Sequence, residues 1–189
     1  MDNPATSTKG NTVKHAAVAL ALAATSGLAA SLDIKGLKVD QAVDCVAIKA
    51  LETRTGTFSD ACNNGRTEWY TETDFLNGKA MLRLTQSADR TLLSVSVGEA
   101  SSFDFEVAMD ALTIKFGTPL STTKSSIQNR MGASFEQMEA IWIDGDQRII
   151  LRRHGTSIGR PSLIYFGKRA GDDVNNERSE RAKKAAGNI

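Results

Sequence analysis

Residues 135–153 read FEQMEAIWIDGDQRIILRR. Two runs rich in β-formers flank Asp144-Gly145-Asp146, the punctuation of a tight hairpin. Placing the turn at Gly145 and Asp146 fixes the register: Trp142 faces Ile149, Ala140 faces Leu151, and Glu139 faces Arg152 on the opposite surface. Such cross-strand pairs are the unit of stabilisation in an antiparallel ladder. The strands predicted here are Phe135–Ile143 and Gln147–Arg153.

The same logic extends to both sides. In Thr91–Gly98, Leu93, Val95 and Val97 alternate with Ser94 and Ser96, the period of a half-buried strand. Further strands are predicted at Arg66–Thr71, Lys79–Gln86, Ser125–Arg130 and Ser162–Gly167. Between them, Phe105, Ala108, Met109, Leu112 and Phe116 repeat at helical spacing, with Ser101 or Ser102 as the cap, Asp104 and Glu106 at the positive end, and Gly117 with Pro119 as the stop. An earlier helix is predicted from a cap at Asp40 to about Glu52, with Val43, Val46, Ala47, Ala50 and Leu51 on its apolar face. Asn63-Asn64-Gly65 marks a turn. The order predicts an α+β domain over 31–167, two helices packed on one face of an antiparallel sheet, built from two similar helix-plus-strands halves. From Lys168 to Ile189 the chain turns polar, and Glu177/Arg181 with Glu180/Lys184 support at most a solvated helix or a flexible tail.

The start of the chain follows the pattern of a secretory signal. Lys9, Lys14 and His15 precede an apolar run from Ala16 through Ala24, and Ser26, Gly27, Ala29 and Ala30 offer a small-residue cut site after Ala29 or Ala30. The run is shorter than the roughly 20 residues a bilayer requires. Gly27-Leu28-Ala29-Ala30-Ser31 contains no cysteine, so no lipid anchor is expected after removal of residues 1–30. The 189-residue chain carries 41% hydrophobic and 24% charged residues, ordinary for a globular protein. Its mature part would hold 21 basic and 21 acidic residues. That balance offers no footprint for nucleic acid or an anionic membrane.

In an exported chain, Cys45 and Cys62 are read as a disulfide, because the oxidising compartment removes the reason to keep them reduced. Metal binding is disfavoured, since His154 is the one imidazole of the mature chain and the cysteines are not closely spaced. No metal or cofactor is expected. His154, after Arg152 and Arg153, reads as a strand-end surface residue with no nucleophile placed beside it. Asp144 and Asp146 lack the remaining ligands of a calcium loop, and Gly98-Glu99-Ala100 does not make a phosphate loop. Glu136 with Glu139, and Asp104 with Glu106, read as solvated charged faces, so no catalytic residue is assigned. Trp69-Tyr70 and Tyr165-Phe166 are adjacent aromatic pairs. Neighbours in a strand face opposite sides, which makes Trp69, Tyr70 and Tyr165 candidates for a protein-binding face, with core filling as the plainer alternative.

Lys115-Phe116-Gly117-Thr118-Pro119, then Ile127 through Glu136 with Gln128-Asn129-Arg130-Met131-Gly132, then Trp142 and Ile149–Arg152 resemble an uncharacterised group of small exported bacterial envelope proteins. The likeness covers mainly residues 102–167. Ile34-Lys35-Gly36-Leu37 leading into a helix is similar to the outer-membrane-assembly lipoproteins and to the β-lactamase-inhibitor-like fold. That resemblance implies helices covering an antiparallel sheet whose open face binds another protein. The expected protein is therefore a soluble periplasmic or secreted binding module, an inhibitor or envelope accessory factor, with an envelope or secreted protein as partner. The alternatives are an envelope-directed hydrolase using His154 as base, or a structural or stress-related envelope protein without a discrete site.

Overall fold

The computed structural model describes residues 31–51, 68–98 and 103–186. Residues 1–30, expected to be a leader, Cys62, the expected turn at Asn63-Asn64-Gly65, and Ser101 and Ser102 lie outside the described residues, as do the side chains of Trp69, Thr71 and Glu177.

The described elements run α1 (Cys45–Ala50), β1 (Glu68–Phe75), β2 (Gly78–Gln86), β3 (Leu92–Val97), α2 (Phe105–Phe116), β4 (Ser121–Gln128), β5 (Ser134–Asp144), β6 (Gln147–Arg152), β7 (Ser162–Phe166) and α3 (Lys168–Ala186). The strands form one 7-stranded sheet in the order β1-β2-β3-β7-β6-β5-β4. Every neighbouring pair is antiparallel. The molecule is thus of the α+β class and is mostly sheet. Two meanders, β1–β3 and β4–β7, meet where β3 pairs with β7, Val95 opposite Tyr165. No hairpin joins that central seam.

The β5–β6 hairpin has the register expected from its turn: Trp142 opposite Ile149, Ala140 opposite Leu151 and Glu139 opposite Arg152. Gly145 stands at φ +58, the left-handed region that the first residue of a primed hairpin turn occupies. Strand β4 begins four residues earlier than the predicted Ser125. Its side chains are almost all exposed Ser, Thr and Lys, so no apolar alternation announced it. Asn129 ends it by accepting the N–H groups of Met131 (3.0 Å) and Ala133 (2.9 Å).

One hydrophobic cluster joins Leu82 and Leu84 of β2, Val95 and Val97 of β3, Leu163 and Tyr165 of β7, Ile149 and Leu151 of β6, and Ala140 and Trp142 of β5. These residues share one face of the sheet, because side chains alternate along each strand. Phe105, Ala108 and Leu112 of α2 belong to the same cluster, with Met109 and Phe116 packed against it. All five predicted apolar positions of this helix therefore face the core. Its cap is Asp104, whose Oδ1 accepts the Val107 N–H at 3.0 Å. Gly117, at φ +83, ends it. Trp142 Nε1 donates to the Gly117 carbonyl at 2.8 Å and ties the helix end to β5.

The first helix departs from its prediction. It is capped by Asp44, whose Oδ1 accepts from Val46 (2.9 Å) and Ala47 (3.0 Å). With the start moved four residues on, Ile48 is buried, Cys45 and Leu51 are partly buried against the core, and Val46 is 80% exposed. Asp40, the predicted cap, serves another helix: its Oδ2 accepts the Lys168 N–H at the start of α3 (2.8 Å). Beyond its first turn α3 is exposed wherever its side chains are described. Upstream, Leu32, Ile34, Leu37 and Val39 are all buried. Ile34 and Leu37 bridge across a Lys35-Gly36 turn in which both residues have positive φ.

Candidate functional site

The second face of the sheet is where the molecule differs most from a plain core. The register lines up Tyr70, Arg83, Ser96, Ile164, Ile150, Ile141 and Ser121 in one row across all seven strands. Ile164, Ile150 and Ile141 are adjacent in that row and all half-buried. Tyr70 is 51% exposed. The next row toward the α3 end runs Glu68, Thr85, Ser94, Phe166, Arg148, Ile143. A Cβ at Gly171 would sit 4.0 Å from the Phe166 ring, so the first turn of α3 bounds the face at that end, and among the described residues no helix lies over the isoleucine row.

Of the three aromatic candidates, Tyr70 lies on this face. Tyr165 does not. It is fully buried in the core cluster, where its hydroxyl donates to the Leu32 carbonyl (2.7 Å), lies 2.8 Å from the side-chain amide of Gln147, and accepts the Val39 N–H (3.4 Å). Burial, reinforced by the carboxylates of Asp33, Asp40 and Asp144, pushes its phenol up to about 12. Its neighbour Phe166 takes the open side instead. The parity of β7 could not be fixed from sequence, because Leu163-Ile164-Tyr165-Phe166 is apolar at every position. The Trp69 side chain lies outside the described residues.

Between Tyr70 and Arg83 on one side and Arg152 on the other lies a hollow of about 490 Å³, floored by Met81, Ser96 and Ile164. Arg83 meets Glu68 through Nε, and Arg152 meets Glu139 at 2.5 Å, also through Nε. Tyr70 donates to Glu68 at 3.3 Å. Gly155 edges the hollow next to Ser162, and a Cβ there would come within 2.7 Å of the Ser162 Cβ. Glycine at 155 is what lets the 153–161 loop close over β7. The isoleucine row and this hollow were not singled out from sequence. Ile141, Ile150 and Ile164 stand one each on three strands, and only the pairing brings them together.

The remaining candidates have structural roles. His154 Nδ1 accepts the Gly159 N–H at 2.9 Å, and its backbone is held by Gln137 on both sides, N–H to Oε1 at 2.9 Å and carbonyl to Nε2 at 2.6 Å. The Nδ1 lone pair is thus engaged in holding the loop at Gly159. Glu139 is paired with Arg152. Glu136 lies 3.4 Å from Arg153 and 3.7 Å from Lys124, and Glu106 lies 2.5 Å from Arg153. No group of His, Cys, Asp and Glu with metal-binding geometry occurs among the described residues. No described helix is long and apolar enough to cross a membrane. Cys45 Sγ accepts from Arg90 Nη2 at 3.1 Å, while Cys62 lies outside the described residues. No family, curated protein or solved structure was found to match this chain.

Proposed function

We propose that this chain is an exported, soluble protein-binding module, periplasmic or secreted, that engages an envelope or secreted protein through the open face of its sheet. The observation that carries the reading is the half-buried row Ile164-Ile150-Ile141, over which no described helix lies, continued by Ser96 and Arg83 to Tyr70. Contiguous half-buried apolar residues rimmed by charged ones are a feature of interaction surfaces. In the same reading α1 and α2 together cover the other face, as the leading helices of two similar helix-plus-strands halves, the layout that the resemblance to envelope-assembly and inhibitor folds implies. Export rests on the leader-like residues 1–30. Burial of Leu32 supports a cut no later than Ser31, since its carbonyl holds the Tyr165 hydroxyl. A Cys45–Cys62 disulfide fits the same compartment.

The test is site-specific photo-crosslinking in living cells that carry the full gene, with the probe at Ile150 and, as control, at Ile114 on the exposed side of α2. A protein captured at position 150 and not at 114 is the expected result. Capture at neither position removes the binding reading. Intact mass of the same purified chain reports on the leader: loss of residues 1–30 and of two hydrogens is expected.

A further inference from the structure

We infer that the partner presents an acidic, aliphatic segment, whose carboxylates pair one with Arg83 and one with Arg152 while its apolar side chains lie on Met81 and Ile164. This deepens the binding reading above and rests on it. The chemistry comes from the lining of the hollow. Two guanidiniums stand at its opposite sides, Ser96 and Ser162 supply hydroxyls, and no carboxylate is among the lining residues. Arg83 and Arg152 are about half exposed, at 53% and 47% of their side chains. Each is braced from its outer side by one glutamate whose closest contact is Nε. A guanidinium carries five N–H donors in a planar fork that matches carboxylate geometry, so one carboxylate exhausts neither arginine. The braces fix both side chains in place before a ligand arrives, which lowers the ordering cost of a second ion pair.

The backbone of the sheet at this place is fully laddered, with Arg83 opposite Ser96 and Ser96 opposite Ile164. A partner therefore gains no strand pairing here and must be recognised by side chains. An apolar floor between two cations selects a segment that alternates aliphatic and acidic residues. A basic segment would bring a third charge, of the same sign as the guanidinium, to each Arg–Glu pair and find no free carboxylate among the lining residues.

Three fluorescein-labelled pentapeptides serve as probes: Leu-Asp-Leu-Glu-Leu, its amide counterpart Leu-Asn-Leu-Gln-Leu, and Leu-Lys-Leu-Lys-Leu. Titrated with the mature protein and read by fluorescence polarisation, the acidic peptide is expected to bind at least about tenfold tighter than the other two, less so at high salt. The Arg83→Gln/Arg152→Gln double variant should lose that preference, and Arg83→Glu/Arg152→Glu should transfer it to the lysine peptide. Equal binding of the three, no binding of the acidic peptide at millimolar concentration, or an unchanged preference in the double variants overturns the inference. Capture at Ile150 in cells without an acidic preference would discard this chemistry alone and leave the binding reading in place.

Discussion

Asp40 and Lys168 stand 128 positions apart, yet the Asp40 carboxylate caps the helix that Lys168 begins, at 2.8 Å. Gly167 makes the approach feasible: a Cβ there would lie 2.0 Å from Asp40 Oδ2. Asp40 itself sits at φ +59, a conformation that Asp tolerates better than most residues.

This pairing predicts a non-additive response. Gly167→Ala should cost about 1–3 kcal/mol by overpacking against the carboxylate, and Asp40→Gly only a few tenths of a kcal/mol, roughly, because glycine's ease at φ +59 offsets the lost cap. In the Asp40→Gly background the alanine meets no carboxylate. Urea unfolding of the four proteins should therefore show a coupling of about 1 kcal/mol or more. Additive losses would mean that the two residues do not touch.

Tyr165 predicts an alkaline limit to stability. Its folded phenol is raised to about 12 from an ordinary 10.0, chiefly by burial. Between those values the unfolded chain has released a proton that the folded chain retains, so ν for the unfolded state is the smaller and stability falls as pH rises. The contribution is intact below pH 10 and is lost from there to about pH 12, on the order of 2–3 kcal/mol in all. Tyr165→Phe should be less stable at neutral pH by about 1–2 kcal/mol, since the Leu32 carbonyl loses its donor. Its stability should also decline less steeply above pH 10, measured by denaturant titration at a series of pH values.

Trp142→Phe should destabilise the fold by about 1–3 kcal/mol, from the lost bond to the Gly117 carbonyl and the lost indole area. Hydrogen exchange should then rise selectively in the last turn of α2. A uniform rise across the sheet instead would show that Nε1 is not what secures the helix end.

Cys45→Ser tests the proposed disulfide. A loop of this size predicts a loss of about 3 kcal/mol in the chain-entropy description. Addition of reductant should bring the parent chain down to the level of the variant and leave the variant unmoved. A parent indifferent to reductant would dismiss the pairing with Cys62.

The sequence was most informative where hydrophobic period and turn chemistry agree. Gly145-Asp146 set a register that placed six residues correctly opposite one another, and the stripe on α2 named all five of its core residues. It was least informative at α1. Asp40 and Asp44 are both acceptable caps in isolation, and the choice was made by the α3 terminus, which competes for Asp40. In β7 an unbroken apolar run conceals which aromatic looks outward: Tyr165, a candidate for the binding face with core filling as its alternative, fills the core, and Phe166 takes the other side.

The amino-acid sequence by itself determined the α+β class, the β5–β6 hairpin and the amphipathic face of α2, because each depends on residues within a few positions of one another. Tertiary structure alone decided that β3 pairs with β7, that Ile141, Ile150 and Ile164 form one row, and that Arg83 and Arg152 flank one hollow. Those relations join residues from separate strands, and no local spacing encodes them. They arise because burying one face of two meanders in a single core forces their seam together, and the alternation of side chains then aligns whatever lies on the opposite face.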